Sequence, residues 1–562
     1  MTSDAMASDT VVGLHEDFKG QALAAAPPPA AAAAVAAEVE ASVCPSEPFR
    51  PHVHFTPRAL WMNDPNGLVY AAGEWHLFYQ FNPVSDVPGN ISWGHAVSPD
   101  LVRWTELTGE GNPAIPYDGD TELIFSGSAV VDQDNTSGLG TPENPPMVAI
   151  YTSANATKQA QSLAFSLDNG RSWTKYEGNP VLDEEQKEFR DPKVQWHTPT
   201  RRWLMAVALA DDRKVRFYSS PDLKEWTQLS EFGPMGAVEG QYECPDLFPL
   251  PVDGDLERLK WVLVVNVNPG GLQGGSSAQY FVGDFDGERF VADDQDPKAV
   301  RWLDYGKDYY AAVSWVGAPD GKRYMIGWMS NWQYAAKTPT SPWRNAMSVP
   351  RVMSLRSRPD GGVDLLQEPV PALASTLHRT AEPIMTAATL NVSAGGAAVV
   401  ANGCDGAFLL EVTVSLVDGA TGATVLVRAA EDGSSGTGIV WDSEKGELAV
   451  DRRKSGLVDF SADFPGVHGA PLPYASLADG KLRLTVLVDE GSVEVFADGG
   501  RVAITDIVFP DKERKAVVLR AGGAGGAEGE RGSVVFADVR VVPLRQYREG
   551  CAPREKTCRL AL

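Results

Sequence analysis

Hydrophobic and polar residues alternate along several stretches in the second half of the chain. Between Gly and Asp turns, apolar residues recur at every second position in FLLEVTVSLV (408–417), LRLTVLVDEGSVEVFAD (482–498) and VVFADVRVVPL (534–544). Alternation with period two is typical of strands that bury one face and expose the other. Residues 384–548 are therefore predicted to form an antiparallel β-sandwich.

A short motif recurs in the first half of the chain. Ser is followed two residues later by Asp and then, after a polar turn, by Trp in SPDLVRW (98–104), SLDNGRSW (166–173) and SPDLKEW (220–226). The segment GDFDGERF (283–290) is a weaker copy. Units of short strands and tight turns that recur every ~50–70 residues are typical of propeller blades. Residues 51–357 have room for five blades, and a sandwich of repeated hairpins is the alternative.

The segments around these two regions differ from them in composition. Residues 1–50 contain an Ala- and Pro-rich run and are predicted to be a disordered tail. A polar, Pro-rich stretch at 358–383 is predicted to be a linker, and 549–562 a C-terminal tail. We therefore predict an all-β protein, in which a five-bladed β-propeller is followed by a C-terminal antiparallel β-sandwich.

The composition agrees with this picture and limits the partners. The 562 residues include 54 Gly and 40 Pro, which suits a chain with many turns, and the formal net charge is −25. Nucleic acid and anionic membrane surfaces would repel so acidic a chain, and no apolar run is long enough to span a membrane. We expect neither partner, and a homodimer is left open.

The sequence contains few signals that indicate whether the protein is secreted or intracellular. The first residues lack the basic region of a signal peptide, whereas four Asn-x-Ser/Thr sequons, at Asn90, Asn135, Asn155 and Asn391, suggest a glycoprotein. Five cysteines are too few for a disulfide scaffold. We expect a secreted protein, with an intracellular one as the alternative.

Three acidic residues lie in unusual local sequences, namely Asp64 in WMNDPNG, Asp191 in FRDP and Glu243 in YECPD. Arg190 can keep a neighbouring carboxylate ionised, and the aromatic residue and the thiol that flank Glu243 favour a protonated carboxyl. A hairpin turn is the alternative explanation for the Asp64 motif. The three residues fall in different predicted blades, which converge on one axis. Two carboxylates in different environments are what retaining glycoside hydrolysis requires.

Taken together, these three motifs resemble glycoside hydrolase family 32, the β-fructofuranosidases. The agreement extends to HLFYQ (76–80), FSG (125–127), DYGK (304–307), IGWMSNWQ (326–333) and SVEVF (492–496), so that the resemblance covers about residues 51–545. It implies that Asp64 is the nucleophile, that Glu243 is the acid/base and that Asp191 stabilises the transition state. In a retaining enzyme the first two carboxyls lie ~5–5.5 Å apart.

The resemblance also implies a set of residues that bind the fructosyl unit and its leaving group. They are Trp61, Asn63, Gln80, Phe125, Ser126, Arg190, Asp304, Lys307 and Trp332. Two of them have alternatives, since Trp332 could belong to the propeller core and Gln80 could pair only with backbone. No metal and no organic cofactor is implied.

Two positions depart from the family pattern. Tyr242 stands where Trp is common before the acid/base, and Pro88 stands where Trp is common at the mouth of the pocket. The runs GNISWGH (89–95) and QYFVGDFDG (279–287) are more similar to microbial exo-inulinases and levanases than to plant invertases. We expect an exo-acting fructan β-fructosidase whose substrates are inulin, levan, fructooligosaccharides and sucrose. The alternatives are a fructosyltransferase, a sucrose-preferring invertase and a carbohydrate-binding propeller without catalysis.

Overall fold

The computed structural model describes residues 47–108, 111–119, 121–377, 385–477, 479–522, 532–544 and 559–560. Within these ranges the chain forms 35 strands, one α-helix and two short 3-10 helices, Ala335–Lys337 and Tyr474–Ser476. The all-β prediction is therefore confirmed. The predicted N-terminal tail lies outside the described residues except for 47–50, and the predicted C-terminal tail lies outside them except for 559–560.

The N-terminal domain contains the first 22 strands. They are β1 (Leu60–Ala71), β2 (Glu74–Asn82), β3 (Ser92–Ser98), β4 (Thr105–Glu106), β5 (Leu123–Val131), β6 (Met147–Ala154), β7 (Gln159–Ser166), β8 (Thr174–Lys175), β9 (Phe189–His197), β10 (Arg202–Leu209), β11 (Lys214–Ser220), β12 (Thr227–Phe232), β13 (Gln241–Val252), β14 (Asp255–Asn268), β15 (Ser277–Phe285), β16 (Phe290–Ala292), β17 (Tyr310–Ser314), β18 (Arg323–Met329), β19 (Trp343–Arg344), β20 (Ala346–Met347), β21 (Arg351–Ser357) and β22 (Val363–Pro369). Antiparallel pairing groups them into five consecutive units: β1–β4, β5–β8, β9–β12, β13–β16, and β17 with β18, β21 and β22. The last two units share one sheet through a single pair, Val252 with Leu355.

The first strands of the five units form a closed ring. Strand β1 contacts β5, β5 contacts β9, β9 contacts β13, β13 contacts β17, and β17 contacts β1. Strand β19, which lies between β18 and β21 in the chain, pairs in parallel with β1 through Leu60–Trp343 and Trp61–Arg344. This return of the chain ties the last unit to the first and leaves no open edge between them. The five units agree with the five predicted blades.

The recurring Ser–Asp–Trp motif is the turn between the third and fourth strands of a unit. In the first copy, Asp100 Oδ1 accepts hydrogen bonds from the amides of Val102 and Arg103 at 3.1 and 2.8 Å. The Asp100 amide in turn donates to Ser98 Oγ at 3.1 Å. Asp222 binds two amides in the same way in the third copy. The motif recurs because each unit needs side chains that satisfy the amides of this turn.

The C-terminal domain contains the remaining strands. They are β23 (Met385–Ser393), β24 (Ala397–Asn402), β25 (Phe408–Val417), β26 (Gly422–Ala429), β27 (Thr437–Asp442), β28 (Glu447–Asp451), β29 (Val467–Pro471), β30 (Leu482–Val488), β31 (Ser492–Ala497), β32 (Val502–Ile507), β33 (Ala516–Ala521), β34 (Ser533–Pro543) and β35 (Arg559–Leu560). They form two sheets, in the orders β23-β34-β25-β30-β31-β32 and β29-β28-β27-β26-β33-β24-β35. The alternating apolar positions meet in one core, which includes Val412, Trp441, Val486 and Leu519. The predicted sandwich is confirmed.

Two predicted boundaries differ from the structure. Strand β22 lies inside the predicted linker, yet it pairs along its length with β21 and so extends the N-terminal domain to Pro369. The helix α1 (Pro371–Leu377) follows it. The polar turn at 358–362 resembles a linker in composition, but Val363, Leu365 and Gln367 after it are buried alternately, as in a strand. At the other end, Arg559 and Leu560 pair with β24 instead of lying in a tail.

Buried charges join the two domains. His54 lies 2.8 Å from Asp489 through Nδ1 and 2.9 Å from Glu494 through Nε2. Glu494 also accepts a hydrogen bond from Arg351 at 2.7 Å. Burial by itself would lower the pKa of His54, but the hydrogen bonds to the two carboxylates outweigh burial and raise this pKa to about 9. Removing one member would leave a buried charge without a partner, so the network favours one arrangement of the two domains.

The stability of this interface is expected to fall as the pH rises toward 9. A histidine whose pKa is raised on folding stabilises fully below its unfolded pKa of about 6.5, and the contribution is lost as the pH passes the folded value near 9. The difference corresponds to about 3 kcal/mol. Thermal unfolding of His54→Gln between about pH 6 and pH 10 should lack this decline. His197→Gln is the control and should keep the decline, because among the described residues the side chain of His197 forms a hydrogen bond only with Thr200. If His54→Gln showed the same decline as the wild-type protein, His54 would not be its cause.

Candidate active site

Each inner strand contributes at least one side chain to a single cluster. The residues are Asp64 on β1, Ser126 on β5, Asp191 on β9, Glu243 on β13 and Tyr310 on β17. Beside every one of them the pairing with the adjacent strand shifts in register. A β-bulge bends its strand and re-aims a side chain. Five bulges at equivalent places therefore turn five side chains from different units toward one another.

Asp64 is held by neutral hydrogen-bond donors. Ser126 Oγ donates to Asp64 Oδ2 at 2.7 Å, and Asn63 Nδ2 donates to Oδ1 at 3.0 Å. Trp61 fixes the amide of Asn63, because its indole Nε1 donates to Asn63 Oδ1 at 2.8 Å. Burial raises the pKa of Asp64 and the nearby Glu243 adds to this, whereas the bonds from Ser126 and Asn63 lower it. These two donors thus stabilise the ionised carboxylate.

Asp191 lies next to Asp64, with Cys244 between them. The Cys244 amide donates to Asp191 Oδ2 at 2.9 Å, and its sulfur lies 3.6 Å from Oδ2 of both aspartates. Burial raises the pKa of Asp191 to about 7; Arg190 opposes the change, and Glu243 and Asp64 add to it. Burial likewise raises the pKa of the Cys244 thiol, which keeps it protonated. The φ angles of 67° at Asp191 and 43° at Cys244 are strained for residues with a side chain.

Glu243 is bound on both of its carboxylate oxygens. Arg190 donates to Oε1 from Nε at 3.1 Å and from Nη2 at 2.9 Å, and the Tyr310 hydroxyl donates to Oε2. Arg190 is itself held by Gln241, whose Oε1 accepts from Nη2 at 2.7 Å. The side chain of Glu243 is 19% exposed, against 6% for Asp191. Asp191 is therefore the deepest of the three carboxyls, whereas Asp64 and Glu243 are both partly accessible.

Aromatic residues surround the cluster at different depths. Trp61 is fully buried and stacks on Trp332, with ring centroids 5.8 Å apart. Trp332 and Phe125 are half-buried and so have surface left for a sugar ring. Gln80 is buried, and its amide donates to the backbone carbonyl of Ile124 at 3.0 Å. Trp61 therefore lies behind Trp332 and has no exposed surface for a sugar. The sequence analysis, in contrast, predicts that Trp61 contacts the sugar.

Asp304 and Lys307 do not join the cluster. Asp304 is buried between the domains, where its oxygens accept from Arg351 at 2.9 Å and from the Thr505 amide and hydroxyl at 2.9 and 2.7 Å. Lys307 Nζ donates to the Asp463 carbonyl of the sandwich at 2.8 Å. With its oxygens engaged in this way, Asp304 has a structural role in place of the expected contact on the leaving-group side. The DYGK motif alone does not predict these contacts, because the partners Thr505 and Asp463 belong to the sandwich, far away in the sequence.

Tyr310 and Cys244 are members of the cluster that sequence reasoning did not assign. Tyr310 begins the buried strand β17 (YAAVS), whose only other polar side chain is that of Ser314 at the opposite end. Asp64, Ser126, Asp191 and Glu243 each come from the first strand of a different unit, so the first strand of the fifth unit is expected to supply a polar residue as well. Tyr310 is that residue, because it carries a hydroxyl and lies beside the register shift in β17. Cys244, the thiol next to Glu243 in the sequence, contacts two carboxylates.

The described residues contain no group of three or more His, Cys, Asp or Glu side chains arranged to hold a metal ion. His52 and His54, which stand two apart in the sequence, approach the sandwich carboxylates Glu490, Asp489 and Glu494. Among the described helices, none is long and apolar enough to cross a membrane.

Ser126→Ala is expected to shift the acidic limb of the pH–activity profile to higher pH. The Ser126 hydroxyl lowers the pKa of Asp64, so its loss raises that pKa and fewer molecules carry the ionised carboxylate in mild acid. A hydrogen bond to a charged group is worth ~1.5–3 kcal/mol, which corresponds to a shift of about one pH unit or more. The dependence of kcat/KM on pH measures this shift. Ser166→Ala, which removes a bond of the same kind to the surface carboxylate Asp168, is the matched control and should leave the limb in place.

Sequence comparisons identify the family of the chain. Residues 54–369 match the family model "Glycosyl hydrolases family 32 N-terminal domain", and residues 377–542 match "Glycosyl hydrolases family 32 C terminal". The chain is 45% identical over 485 residues to a levanase of Bacillus subtilis, covering 85% of this chain and 69% of that protein. It is 39% identical over 513 residues to an extracellular exo-inulinase of Aspergillus niger, covering 86% and 93%.

Solved structures give the same answer. An exo-inulinase from Aspergillus awamori superposes with a TM-score of 0.81 at 35% identity, covering 90% of this chain and 99% of that one. A β-fructofuranosidase from Schwanniomyces occidentalis, complexed with fructosyl-erythritol, superposes with a TM-score of 0.76 at 34% identity, covering 89% and 99%. The fold and its carboxylate cluster are those of a glycoside hydrolase. The chain belongs to glycoside hydrolase family 32, and the predicted enzyme class, β-fructofuranosidase, is confirmed.

Proposed function

We propose that this protein releases terminal β-D-fructosyl units from fructans, and from sucrose, with retention of configuration. The observation that carries the proposal is the meeting of Asp64 and Glu243 in one cluster but in different environments. Among the described residues, Asp64 accepts only from neutral side-chain donors such as Ser126 and Asn63, whereas Glu243 lies between the cation Arg190 and the hydroxyl of Tyr310. Retaining hydrolysis uses such a pair, one carboxyl as nucleophile and one as acid/base.

In the first step, Asp64 attacks the anomeric C2 of the fructosyl unit. The bond between C2 and the glycosidic oxygen breaks, and Glu243 gives its proton to that oxygen, so the leaving sugar departs as an alcohol. In the second step, Glu243 takes a proton from water, the water oxygen bonds C2, and Asp64 leaves as a carboxylate. The hydrogen bonds from Arg190 and Tyr310 would hold Glu243 in place through both steps.

Asp191 would stabilise the positive charge that develops on the fructosyl ring. Its carboxylate is oriented by the Cys244 amide and sits beside Asp64. Arg190 favours the ionised form of this carboxyl, and a negative group fixed at this place stabilises an oxocarbenium-like transition state without having to reorganise. Phe125 and Trp332 would pack against the sugar, since both keep exposed ring surface near the cluster.

Fructans are the preferred substrates in this proposal. Relatives at 45% and 39% identity are named for action on levan and inulin. Pro88 removes the indole that many family members place at the mouth of the pocket, which weakens a dedicated contact to the glucose of sucrose. Fructosyl transfer, the alternative reaction, is not favoured by these relatives, which are named as hydrolases.

Parallel incubations with inulin, levan and sucrose test the proposal. Both fructans should yield free fructose as the first small product, and sucrose should yield glucose and fructose in equal amounts. Fructooligosaccharides as first products from inulin or levan would contradict exo action. Accumulating trisaccharides at high sucrose would contradict hydrolysis as the main reaction.

We also propose that the enzyme is extracellular. Cys404 is disulfide-bonded, and structural disulfides persist in oxidising compartments. One of the relatives is an extracellular exo-inulinase. Thiol titration of the denatured, unreduced protein should find fewer reactive groups than the five cysteines of the sequence, and all five should react after reduction. Five reactive thiols without reduction would contradict the proposal.

A further inference from the structure

A second layer of polar contacts joins the inner strands just beyond the cluster. Asn66 of β1 accepts a hydrogen bond on Oδ1 from the Gly127 amide of β5 at 3.2 Å. Ser128 of β5 bridges to β9, because its hydroxyl donates to the Pro192 carbonyl at 2.9 Å and accepts from the Val194 amide at 2.8 Å. Each contact lies within a few residues of a cluster member on the same strand. The first three inner strands are thus tied together below the carboxylates.

Lys193, Asp246 and Ser314 continue this layer through β9, β13 and β17. Lys193 Nζ lies 3.2 Å from Asp246 Oδ2 and also donates to the Ser314 carbonyl. Ser314 donates to Asp246 Oδ2 from its amide at 2.6 Å and from its hydroxyl at 2.7 Å. Just after β17, the Val316 amide donates to the Leu68 carbonyl of β1 at 3.1 Å, which completes the ring. The charged pair in this ring is deeply buried, with side chains 6% and 0% exposed.

Little space separates this layer from the reacting groups. A cavity of about 10 Å³ lies between them, lined by Ser126, Asp191 and Cys244 of the cluster and by Asn66 and Lys193 of the second layer. This is room for a single water molecule. In an interior packed this closely, a displacement in one layer is passed to the other.

The buried pair and Ser314 belong to the three strands that carry Asp191, Glu243 and Tyr310. Lys193 follows Asp191 by two residues, and Asp246 follows Glu243 by three. Ser314 stands at the other end of the same short strand as Tyr310. Among the described residues a second cation, Arg323, lies near Asp246. It donates to the Trp315 carbonyl at 3.0 Å and to Ser314 Oγ at 3.4 Å, and neither bond joins β9 to β13 as Lys193 does.

We infer that Lys193 and Asp246 are positioning residues for the reaction, which fix Asp191, Glu243 and Tyr310 relative to one another across three units. The inference rests on the proposed function, because it assigns these residues a role in placing the groups named there. A misplacement of reacting groups by about 1 Å can cost ~100-fold in rate. Loss of the pair should therefore lower kcat more than it weakens substrate binding.

Lys193→Met tests the inference, since Met fills similar space without the charge. We expect kcat on inulin to fall about 30- to 100-fold, with KM and the inhibition constant of free fructose changed less than about threefold. The double variant Lys193→Met/Asp246→Leu removes both charges and should recover thermal stability, because no buried charge is left unpaired. Its kcat should remain low. Arg216→Met, which breaks the Arg216–Glu231 pair between the outer strands β11 and β12, is the matched control and should keep wild-type kcat.

Two results would overturn the inference. One is wild-type kcat in folded Lys193→Met, which would give the pair a role in stability alone. The other is a double variant that recovers kcat together with stability. If Lys193→Met does not fold, Asp246→Asn keeps an acceptor for Ser314 and should show the same drop in kcat, and unchanged kcat there would overturn the inference too. Failure of the proposed function is distinguishable, because in that case the wild-type protein itself would release no fructose.

Discussion

Asp64→Asn is expected to abolish fructose release while leaving the protein folded. An amide does not attack C2 as a carboxylate does, and loss of a covalent nucleophile costs roughly 10⁴-fold or more in kcat. Stability should hold or increase, because burial and Glu243 both disfavour a charge at position 64. Fructose release from inulin and thermal unfolding of the same preparation measure the two effects.

Asp100→Asn provides the opposite pattern as a control. Asp100 binds the amides of Val102 and Arg103 in the recurring turn of the same unit, far from the chemistry of the cluster. Its substitution should lower the unfolding temperature and keep kcat. Near-normal fructose release by Asp64→Asn would remove the nucleophile from the account, whatever the stability of the variant.

Glu243→Gln is expected to lower kcat by about 10²- to 10⁴-fold on fructans and sucrose. The glycosidic oxygen of a sugar needs a proton to leave, and glutamine has none to give. A fructoside with a good leaving group needs no such proton, so its first step should be nearly normal. The second step still lacks its base, and a burst of leaving group followed by slow turnover is the expected time course.

Added azide should restore turnover of that activated fructoside by Glu243→Gln. Azide attacks C2 without needing a base, so it replaces water in the second step. The same addition should do nothing for Asp64→Asn, which forms no covalent intermediate. Equal losses on activated and natural substrates, without rescue, would mean that Glu243 does not act as the acid/base.

The sequence predicted the local features of the fold well. Strand alternation and the Ser–Asp turns depend on neighbours in the chain, so both were visible as patterns. The meeting of Asp64, Asp191 and Glu243 followed from the expectation that blades share an axis. The register shifts that turn these side chains inward come from pairing between strands, and they were not visible.

What the sequence missed depends on contacts between distant segments. Asp304 was expected on the leaving-group side, but it binds Arg351 and Thr505, which are 47 and 201 residues away. Tyr310 was not assigned because YAAVS looks like an ordinary buried strand, and its hydroxyl acquires meaning only when Glu243 is placed beside it. Strand β22 lies in a stretch whose composition predicts a linker, because composition does not reveal its pairing with β21.

The central claim is that hydrolysis proceeds through a fructosyl unit bonded covalently to Asp64. It is tested most directly by quenching Glu243→Gln during turnover of an activated fructoside and mapping the labelled peptide by mass spectrometry. The account predicts one added fructosyl unit on the peptide that contains Asp64, and none when Asp64→Asn is added to the same variant. A label on another residue, or no adduct during a slow but measurable turnover, would contradict it.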